Sequence, residues 1–587
     1  MSQAASLPVL ETRARFLRPW MAPTATVLAV AAVIGIHIFV ALNSAIPMLW
    51  TDELGYLANA QVLSGVGEPR DLAGRGYYVG WSLLITPLWW LTSNLDLIYQ
   101  LSVAMSVVFG IATTVPLALI ARRAGLGWTW SIALGAVVSL APSRTSMSNF
   151  ALAENFLAFF VALTVWLGMR FAAEKTVLRA VLFGASAAMV FVIHGRAIPV
   201  AIAAGLWFVW LLRRHLVTAL AGGATLGAIS LAGFLLYRWT ISFMYPASAD
   251  REATGIDRIF GSDPAAVLTS GGGQIWYMLA AWAGLTLLGG VFVARVALAE
   301  IRARRPGIAT FSLITLVGAF VISATWVSRT VGAGRDRLDI YSYGRYLETY
   351  GPVLALFGLI LIVKGISRRV AIVTAVTAIV ITAVFFIFIA PQAPLDGILF
   401  WGATSVPGLL QWPWPHVSSQ LQPPWYLAGA FALVALAAMW FLRKKVVVVV
   451  VVAAVFFAGS SIAAEIRTVT PYFAGFQESF GLRTVLAEYR GATVSFDVDG
   501  MNEPGMDRDT VSRNAYQYWS SPRPVAVFDS DEIDPVSELV IARKSWDNAA
   551  RFGAIKIADD TGLFDNAIYV LPGALQRQLL ADGVISE

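Results

Sequence analysis

The sequence predicts a polytopic α-helical membrane protein, with a bundle of about thirteen transmembrane helices and a small C-terminal extracytoplasmic α/β domain. Composition predicts the membrane part, because 58% of the 587 residues are hydrophobic and 13% are charged, whereas soluble domains carry about 25% charged residues. Such composition disfavours a disordered protein, a nucleic-acid-binding protein and an ordinary cytosolic enzyme. The sequence has no cysteine, which excludes disulfides and thiol nucleophiles.

Charge divides the chain into two parts. From Glu465 onward there are 11 basic and 19 acidic residues, whereas the first 464 residues hold 31 basic and 17 acidic ones. A reversal of net charge of this size is typical of a domain boundary. We therefore expect a transmembrane domain over 1–464 and a soluble extracytoplasmic α/β domain over 465–587.

A transmembrane helix needs about 20 mostly apolar residues, and the apolar runs between charged breaks predict the individual spans. Their approximate limits are 22–45, 97–121, 127–142, 150–171, 177–193, 197–212, 216–237, 275–297, 308–328, 350–364, 370–390, 425–442 and 446–464. The stretch 81–92 is too short to cross a membrane and is interrupted by Pro87. We expect it to form a re-entrant or interfacial helix.

A basic cluster within 13–18 precedes the first predicted span, and further basic clusters follow every second span as far as the one at 443–445. This alternation is the positive-inside pattern of cytoplasmic loops, so the N-terminus is predicted in the cytoplasm and the C-terminal domain outside. No signal-peptidase motif follows the first span, which we expect to remain as an anchor. The outer loops are longer and hold most of the acidic residues, so any chemistry is expected on the outer side.

The C-terminal part alternates β-like runs with turn formers, a pattern typical of a mixed α/β domain. The predicted strands are 493–498, 524–528, 538–542 and 567–571. About 120 residues are enough for one small domain.

The clearest chemical motif is Asp52-Glu53, at the outer end of the first span. Neighbouring side chains on a helix point about 100° apart, so at most one of the two is expected to face a given cavity well. In one interpretation Asp52 is the general base for an incoming hydroxyl and Glu53 supports it. In the other, both are solvated charges at the membrane interface.

A second acidic residue, Glu154, lies in the first turns of a predicted span within the segment 148–155. It either compensates the helix dipole or is a further carboxylate in the outer cavity. A carboxylate inside a predicted span is costly and usually faces a polar interior, which favours the functional interpretation.

Two outer motifs place cations where the membrane meets water. One is His194-Gly195-Arg196, and the other is the tyrosine-rich segment 341–348, which contains Arg345 between Tyr343 and Tyr346. The planar guanidinium fork suits a phosphate group, although an arginine at a helix end can also reach toward lipid phosphates.

The order of these motifs resembles the C-type membrane glycosyltransferases (GT-C), which include protein mannosyltransferases, aminoarabinose transferases and mycobacterial arabinofuranosyltransferases. The resemblance is carried by the acidic pair 52–53, the segment GYYVGWSLLITPLWWL, Ala121-Arg122-Arg123, Ala153-Glu154-Asn155 and His194-Gly195-Arg196. It covers residues 20–200 best, and the segment 343–346 is a later match. The Ala/Val/Arg-rich, Lys-poor composition is typical of a high-GC bacterium such as an actinobacterium.

The resemblance implies a GT-C-like bundle and transfer of a sugar from a polyprenyl-phosphate donor on the outer face of a bacterial plasma membrane. The catalytic acid of the first outer loop corresponds to Asp52 and that of the second loop to Glu154. Here the first loop has Asp-Glu where some members have Asp-Asp. Two questions stay open: whether Asp52 or Glu53 is the base, and whether a divalent cation, Mg²⁺ or Mn²⁺, is needed.

The partners that the resemblance implies are the lipid-linked donor, membrane lipids and a glycan, glycolipid or protein acceptor, with no nucleic acid. The residues expected at the donor phosphate are Arg345, Arg196, His194, Tyr343 and Tyr346. Two alternatives remain: a transporter or flippase for lipid-linked sugars, and a non-catalytic glycan-binding scaffold. The sequence has no internal repeat of the kind many transporters show, and no P-loop.

Overall fold

The structure is a computed structural model that describes residues 21–48, 50–67, 72, 76–244, 261–331, 337–394, 397, 399, 404–414, 424–471, 474, 480–498, 508–560 and 565–586. The N-terminal basic cluster within 13–18 lies outside these residues. The described residues form two compact units. The described residues of the first unit lie within Met1–Asn43, Val103–Leu235 and Glu252–Val469, and those of the second lie within Ser44–Ser102, Leu236–Arg251 and Thr470–Glu587. The predicted domain boundary near Glu465 stays a prediction.

Helices dominate the structure. In chain order the longer ones are Met21–Ala41, Trp50–Ser64, Leu95–Ala112, Thr114–Arg123, Trp128–Ser139, Glu154–Ala173, Val177–Ile193, Ile198–Leu211, Leu216–Met244, Pro264–Ala281, Leu285–Arg302, Ile308–Ser328, Gly351–Lys364, Arg368–Val384, Trp425–Phe441, Val446–Ala464 and Arg508–Ser520. Shorter helical segments include Val79–Ile85, Leu88–Leu91, Pro142–Thr145, Ser146–Asn149, Gly195–Ala197, Asp339–Ser342 and Arg345–Glu348.

The described helices confirm a multi-pass membrane protein. Within the described part of the chain, seven helices are long and apolar enough to cross a membrane, or up to nine if each of two bent helix pairs is one span. Five shorter apolar helices accompany them. The predicted number of about thirteen spans is not confirmed by this criterion.

The predicted continuous span over 275–297 is wrong. The structure instead has helices Pro264–Ala281 and Leu285–Arg302, whose axes differ by 112°. The break is made by Ala283 and Gly284, which both have a positive φ, of 50° and 81°. Two successive left-handed residues end a right-handed helix, and hydrophobicity alone does not reveal such a turn. A second pair, Asp339–Glu348 and Gly351–Lys364, is bent by 79°.

The short stretch 81–92 is interrupted at Pro87 as predicted, because one helix ends at Ile85 and the next begins at Leu88. Proline at the start of a helix is compatible with its geometry, whereas within a helix it removes a hydrogen bond. The membrane placement of this segment stays a prediction.

The C-terminal part of the second unit contains a five-stranded mixed sheet, and all four predicted strands are present. The strands are β1 (Val494–Asp497), β2 (Val525–Phe528), β3 (Leu539–Arg543), β4 (Ile555–Asp559) and β5 (Asn566–Val570), in the order β2-β1-β3-β5-β4. Strand β1 is parallel to β2 and β3, and β5 is antiparallel to β3 and β4. The prediction missed β4, which is half exposed and carries Lys556 and Asp559 among its apolar residues.

Helix Arg508–Ser520 follows β1 in the chain and is anchored within the second unit by aromatic side chains. The Tyr518 hydroxyl donates to the backbone oxygen of Leu95 at 2.8 Å, and Trp519 Nε1 donates to Asp96 Oδ1 at 3.1 Å. Burial, together with the charge of Asp96, raises the pKa of Tyr518, so its hydroxyl stays protonated and can donate.

Helices Leu285–Arg302 and Gly351–Lys364 pack so closely in the first unit that a glycine between them has no room for a side chain. A Cβ at Gly289 would overlap the backbone oxygen of Leu354, which cannot turn aside. We therefore expect Gly289→Ala to lower the thermal unfolding midpoint in detergent, at a cost of about 1–3 kcal/mol. Gly290→Ala is the matched control, because nothing lies within 4 Å of a Cβ there. Equal losses in the two variants would contradict this explanation.

Candidate functional site

A buried ion cluster in the first unit joins three of the residues predicted from sequence. Glu154 Oε1 accepts hydrogen bonds from Arg345 Nε at 2.7 Å and from Arg196 Nη2 at 3.1 Å. The arginine side chains are each 10% exposed and the glutamate side chain is 4% exposed. A single carboxylate oxygen is therefore shared by two guanidinium groups in a largely water-excluded place.

Local structure positions each member of this cluster. Glu154 is the first residue of helix Glu154–Ala173, where a negative charge is favourable to the helix dipole. Arg196 lies in the tight turn Gly195–Ala197, and His194 Nδ1 accepts the backbone N–H of Arg196 at 3.3 Å. Arg345 begins a single helical turn, and its backbone N–H donates to the Ser405 oxygen at 3.2 Å.

Two tyrosines form an aromatic wall beside the arginines. The guanidinium carbon of Arg196 lies 4.2 Å from the ring centroid of Tyr346, a cation–π geometry. The rings of Tyr343 and Tyr346 are 5.0 Å apart and meet edge to face. The structure thus brings all five residues predicted at the donor phosphate into one neighbourhood with Glu154.

Sequence reasoning missed Arg144, which is 2% exposed. Its Nη2 donates to the Asn155 side-chain oxygen and, at 3.4 Å, to the Glu154 backbone oxygen. Burial lowers the Arg144 pKa to about 10, against the opposing charges of Glu348 and Glu154, so the guanidinium remains charged at neutral pH. Its Nε has no hydrogen-bond partner among the described residues. A lone arginine in a predicted outer loop was the only signal in the sequence.

Asn155 links Arg144 to the first helix. Its Nδ2 donates to Ser148 Oγ at 3.0 Å, and Ser148 Oγ lies 2.7 Å from His37 Nδ1. These polar groups are all buried. A network of this kind holds Arg144 in one orientation, because each broken bond would leave a buried polar group unsatisfied.

Glu348 is another buried carboxylate of the first unit. It is 3% exposed, and it accepts hydrogen bonds from the Tyr277 hydroxyl at 2.5 Å and from Trp282 Nε1 at 2.9 Å. The charge of Glu348 also acts on Arg144 and favours its charged form.

The acidic pair Asp52-Glu53 lies in the second unit, on helix Trp50–Ser64. Glu53 is 0% exposed; its Oε2 accepts the Met48 N–H at 2.8 Å and its Oε1 accepts the Tyr99 hydroxyl at 2.9 Å. Both of its oxygens therefore have structural partners.

Asp52 has a different environment from its neighbour. It is partly exposed, and its Oδ1 accepts the Tyr77 hydroxyl at 2.5 Å. This difference is what adjacent helix positions about 100° apart predict. Of the two acids, Asp52 is the one that solvent or a substrate can reach.

Metal binding stays a prediction. Within the described ranges, no group of three or more histidine, aspartate or glutamate side chains is arranged to hold a metal ion.

The fold defines the class of this protein: it is a multi-pass helical membrane protein with the GT-C fold. Its structure is similar to that of ArnT from Cupriavidus metallidurans bound to undecaprenyl phosphate, with a TM-score of 0.54 and 14% identity over 94% of this chain and 98% of that one. The apo state of the same protein has a TM-score of 0.52 over the same shares, also at 14% identity. At this identity the likeness establishes the fold alone.

The arabinosyltransferase EmbB from Mycobacterium smegmatis is less similar, with a TM-score of 0.41 and 14% identity over 78% of this chain and 42% of that one. No protein-family model matches the sequence, and a search of curated proteins finds no significant match.

Proposed function

We propose that the protein is a glycosyltransferase that moves a sugar from a polyprenyl-phosphate donor to a cell-envelope glycan, glycolipid or protein acceptor. The observation that carries this proposal is the pairing of Arg345 and Arg196 with a single oxygen of Glu154. Glu154 orients both guanidinium groups, and a phosphate is an anion that such guanidinium forks can bind.

The arginines would serve the leaving group. When the bond between the sugar and the phosphate oxygen breaks, the polyprenyl phosphate gains negative charge. Fixed guanidinium groups stabilise such charge without reorganising, and the effect is stronger in a desolvated site than in water. Arg345 and Arg196 can each donate further N–H groups, and the rings of Tyr343 and Tyr346 restrict the approach of water.

Asp52 is proposed as the general base. It would remove the proton of the acceptor hydroxyl while the hydroxyl oxygen attacks the anomeric carbon. The electron pair of the broken bond leaves with the phosphate oxygen, and the proton stays on Asp52. One displacement by one nucleophile inverts the configuration at the anomeric carbon. Glu53 would hold the start of the helix through Met48 and Tyr99 and take no proton.

The charge pattern supports a proposal for the arrangement of the protein in the cell. We propose a bacterial plasma membrane protein with a cytoplasmic N-terminus and an extracytoplasmic domain from residue 465, in line with the positive-inside rule.

The test is transfer by purified protein in vesicles. Labelled polyprenyl-phospho-sugars are supplied with a membrane glycan extract, and glycan product and free polyprenyl phosphate are scored. We expect both products in equal amounts, and an inverted anomeric configuration in the glycan by NMR. Movement of intact donor across the vesicle membrane, with no product from any donor, would contradict the enzyme and support a flippase. A retained configuration would contradict the single displacement.

A further inference from the structure

Glu348 lies between the two sharp helix breaks of the first unit. Trp282 immediately follows helix Pro264–Ala281, at the 112° break, and Glu348 is the last residue before the 79° break. The side chains join these breaks, because Glu348 accepts from Trp282 Nε1 at 2.9 Å and from the Tyr277 hydroxyl at 2.5 Å. The Tyr277 hydroxyl also accepts the Gly408 N–H at 2.7 Å. One carboxylate thus connects three segments of chain.

The space around this carboxylate is closely fitted. A Cβ at Gly408 would come within 2.9 Å of the Tyr277 hydroxyl and 3.1 Å of Glu348 Oε1. A larger residue at position 408 would displace the hydrogen-bonded side chains of Tyr277 and Glu348. The hydrogen-bond donors Tyr277 and Trp282 are neutral, and the charge of Arg144 also acts on the carboxylate. Burying a carboxylate is costly compared with burying an uncharged side chain. A neutral residue at position 348 would be sufficient if this side chain were needed for packing alone.

Glu348 shares a single helical turn with Arg345. The turn spans Arg345–Glu348 and is too short to be stable by itself, because the first turn of a helix fixes several dihedral angles for one hydrogen bond. Its orientation therefore depends on tertiary contacts. On the backbone side these are the bonds from Gly344 and Arg345 to the Ser405 oxygen, at 2.7 and 3.2 Å. Among the side chains, Arg345 binds Glu154 and Tyr346 lies against Arg196, and the Glu348 carboxylate anchors the end of the turn.

We propose, on the basis of the function proposed above, that Glu348 is a positioning residue for donor binding. It holds the turn that aims Arg345 at the phosphate of the lipid-linked donor, and it acts through Arg345 without touching the substrate. Two acceptor oxygens are required, because the two partners are both donors. In Glu348→Gln the side-chain NH₂ group would face one of the two donors, Tyr277 or Trp282.

A double-mutant cycle on the full-length protein in detergent tests this role. Binding of farnesyl phosphate, a soluble polyprenyl monophosphate, is measured by calorimetry for wild type, Glu348→Gln, Arg345→Ala and the double variant. We expect Glu348→Gln to weaken binding about tenfold in the wild type and to have almost no further effect in the Arg345→Ala background. A residue that only stabilises the fold would not give this non-additivity.

Glu300→Gln is the matched control for loss of a structural carboxylate. Glu300 accepts from the Gly307 and Thr310 N–H groups at 2.9 and 2.8 Å. It lies on helix Leu285–Arg302, at the end away from the 112° break. We expect this variant to lower thermal stability and leave farnesyl phosphate affinity unchanged. If Glu348→Gln does not fold, Tyr277→Phe and Trp282→Phe each remove one donor and take its place in the cycle.

The outcomes separate this inference from the function on which it rests. Independent, additive effects of Glu348→Gln and Arg345→Ala, or an unchanged affinity with lower stability, would overturn the positioning role and leave the glycosyltransferase proposal intact. If wild type does not bind farnesyl phosphate, the proposed donor site is overturned, and the role of Glu348 with it.

Discussion

Asp52→Asn is expected to reduce sugar transfer by a factor of about 10² to 10⁴ while the protein still inserts and folds. The amide keeps the size of the carboxylate and can still accept from the Tyr77 hydroxyl, which lies 2.5 Å from Oδ1. It cannot take up the acceptor proton, so the loss should appear in kcat and leave the donor KM largely unchanged. The measurement is initial rate per folded protein, with folding checked by size exclusion and thermal unfolding.

Glu53→Gln is the internal control for Asp52→Asn. Its oxygens accept from Met48 and Tyr99 in a fully buried place, so an amide NH₂ there would face one of two donors. We expect a lower unfolding temperature and near-normal kcat in the fraction that remains folded. The opposite result, normal transfer by Asp52→Asn and loss of kcat in folded Glu53→Gln, would move the general base to Glu53.

Arg345→Ala is expected to raise the donor KM about 10- to 100-fold, because hydrogen bonds to a charged group contribute about 1.5–3 kcal/mol. The variant removes one of the two guanidinium groups that bind the Glu154 oxygen. Acceptor KM should change little. Kinetics with donor varied at saturating acceptor, and the reverse, separate the two effects.

Arg443→Ala is the matched control for Arg345→Ala. Arg443 also lies against an aromatic ring, with its guanidinium carbon 3.8 Å from the centroid of Trp440, and donates to the Trp440 oxygen at 2.8 Å. It lies outside the ion cluster, so we expect unchanged donor kinetics. Unaltered donor saturation in folded Arg345→Ala would remove the phosphate role from this residue.

The predicted elements were most accurate where hydrophobic pattern alone decides the structure. Four strands were found from short β-branched runs between turn residues, whereas β4 was missed because it is half exposed and its charged residues weaken the pattern. The predicted span over 275–297 failed for another reason. Ala283 and Gly284 turn the chain through a left-handed conformation. Hydropathy averaged over about twenty residues does not detect a turn that is made by two residues.

The candidate site was predicted in part. Chemical reasoning selected Glu154 because a carboxylate inside a predicted span is costly, and Arg196 and Arg345 because a guanidinium fork suits a phosphate group. Their pairing joins positions 42 and 191 residues apart, which only the path of the chain could establish. The sequence gives no signal for Glu348, because its partner Tyr277 is 71 residues away and carries no charge.

Composition and charge pattern determined that this is a many-helix membrane protein with an acidic α/β tail. A helix buried in lipid requires a long apolar run, and such a run can be read directly from consecutive residues of the sequence. Tertiary structure decided which carboxylate of the pair 52–53 is accessible, and that two arginines share one glutamate oxygen. Those features depend on side-chain directions and on contacts between distant segments, where a shift of a few ångströms separates an ion pair from two isolated charges.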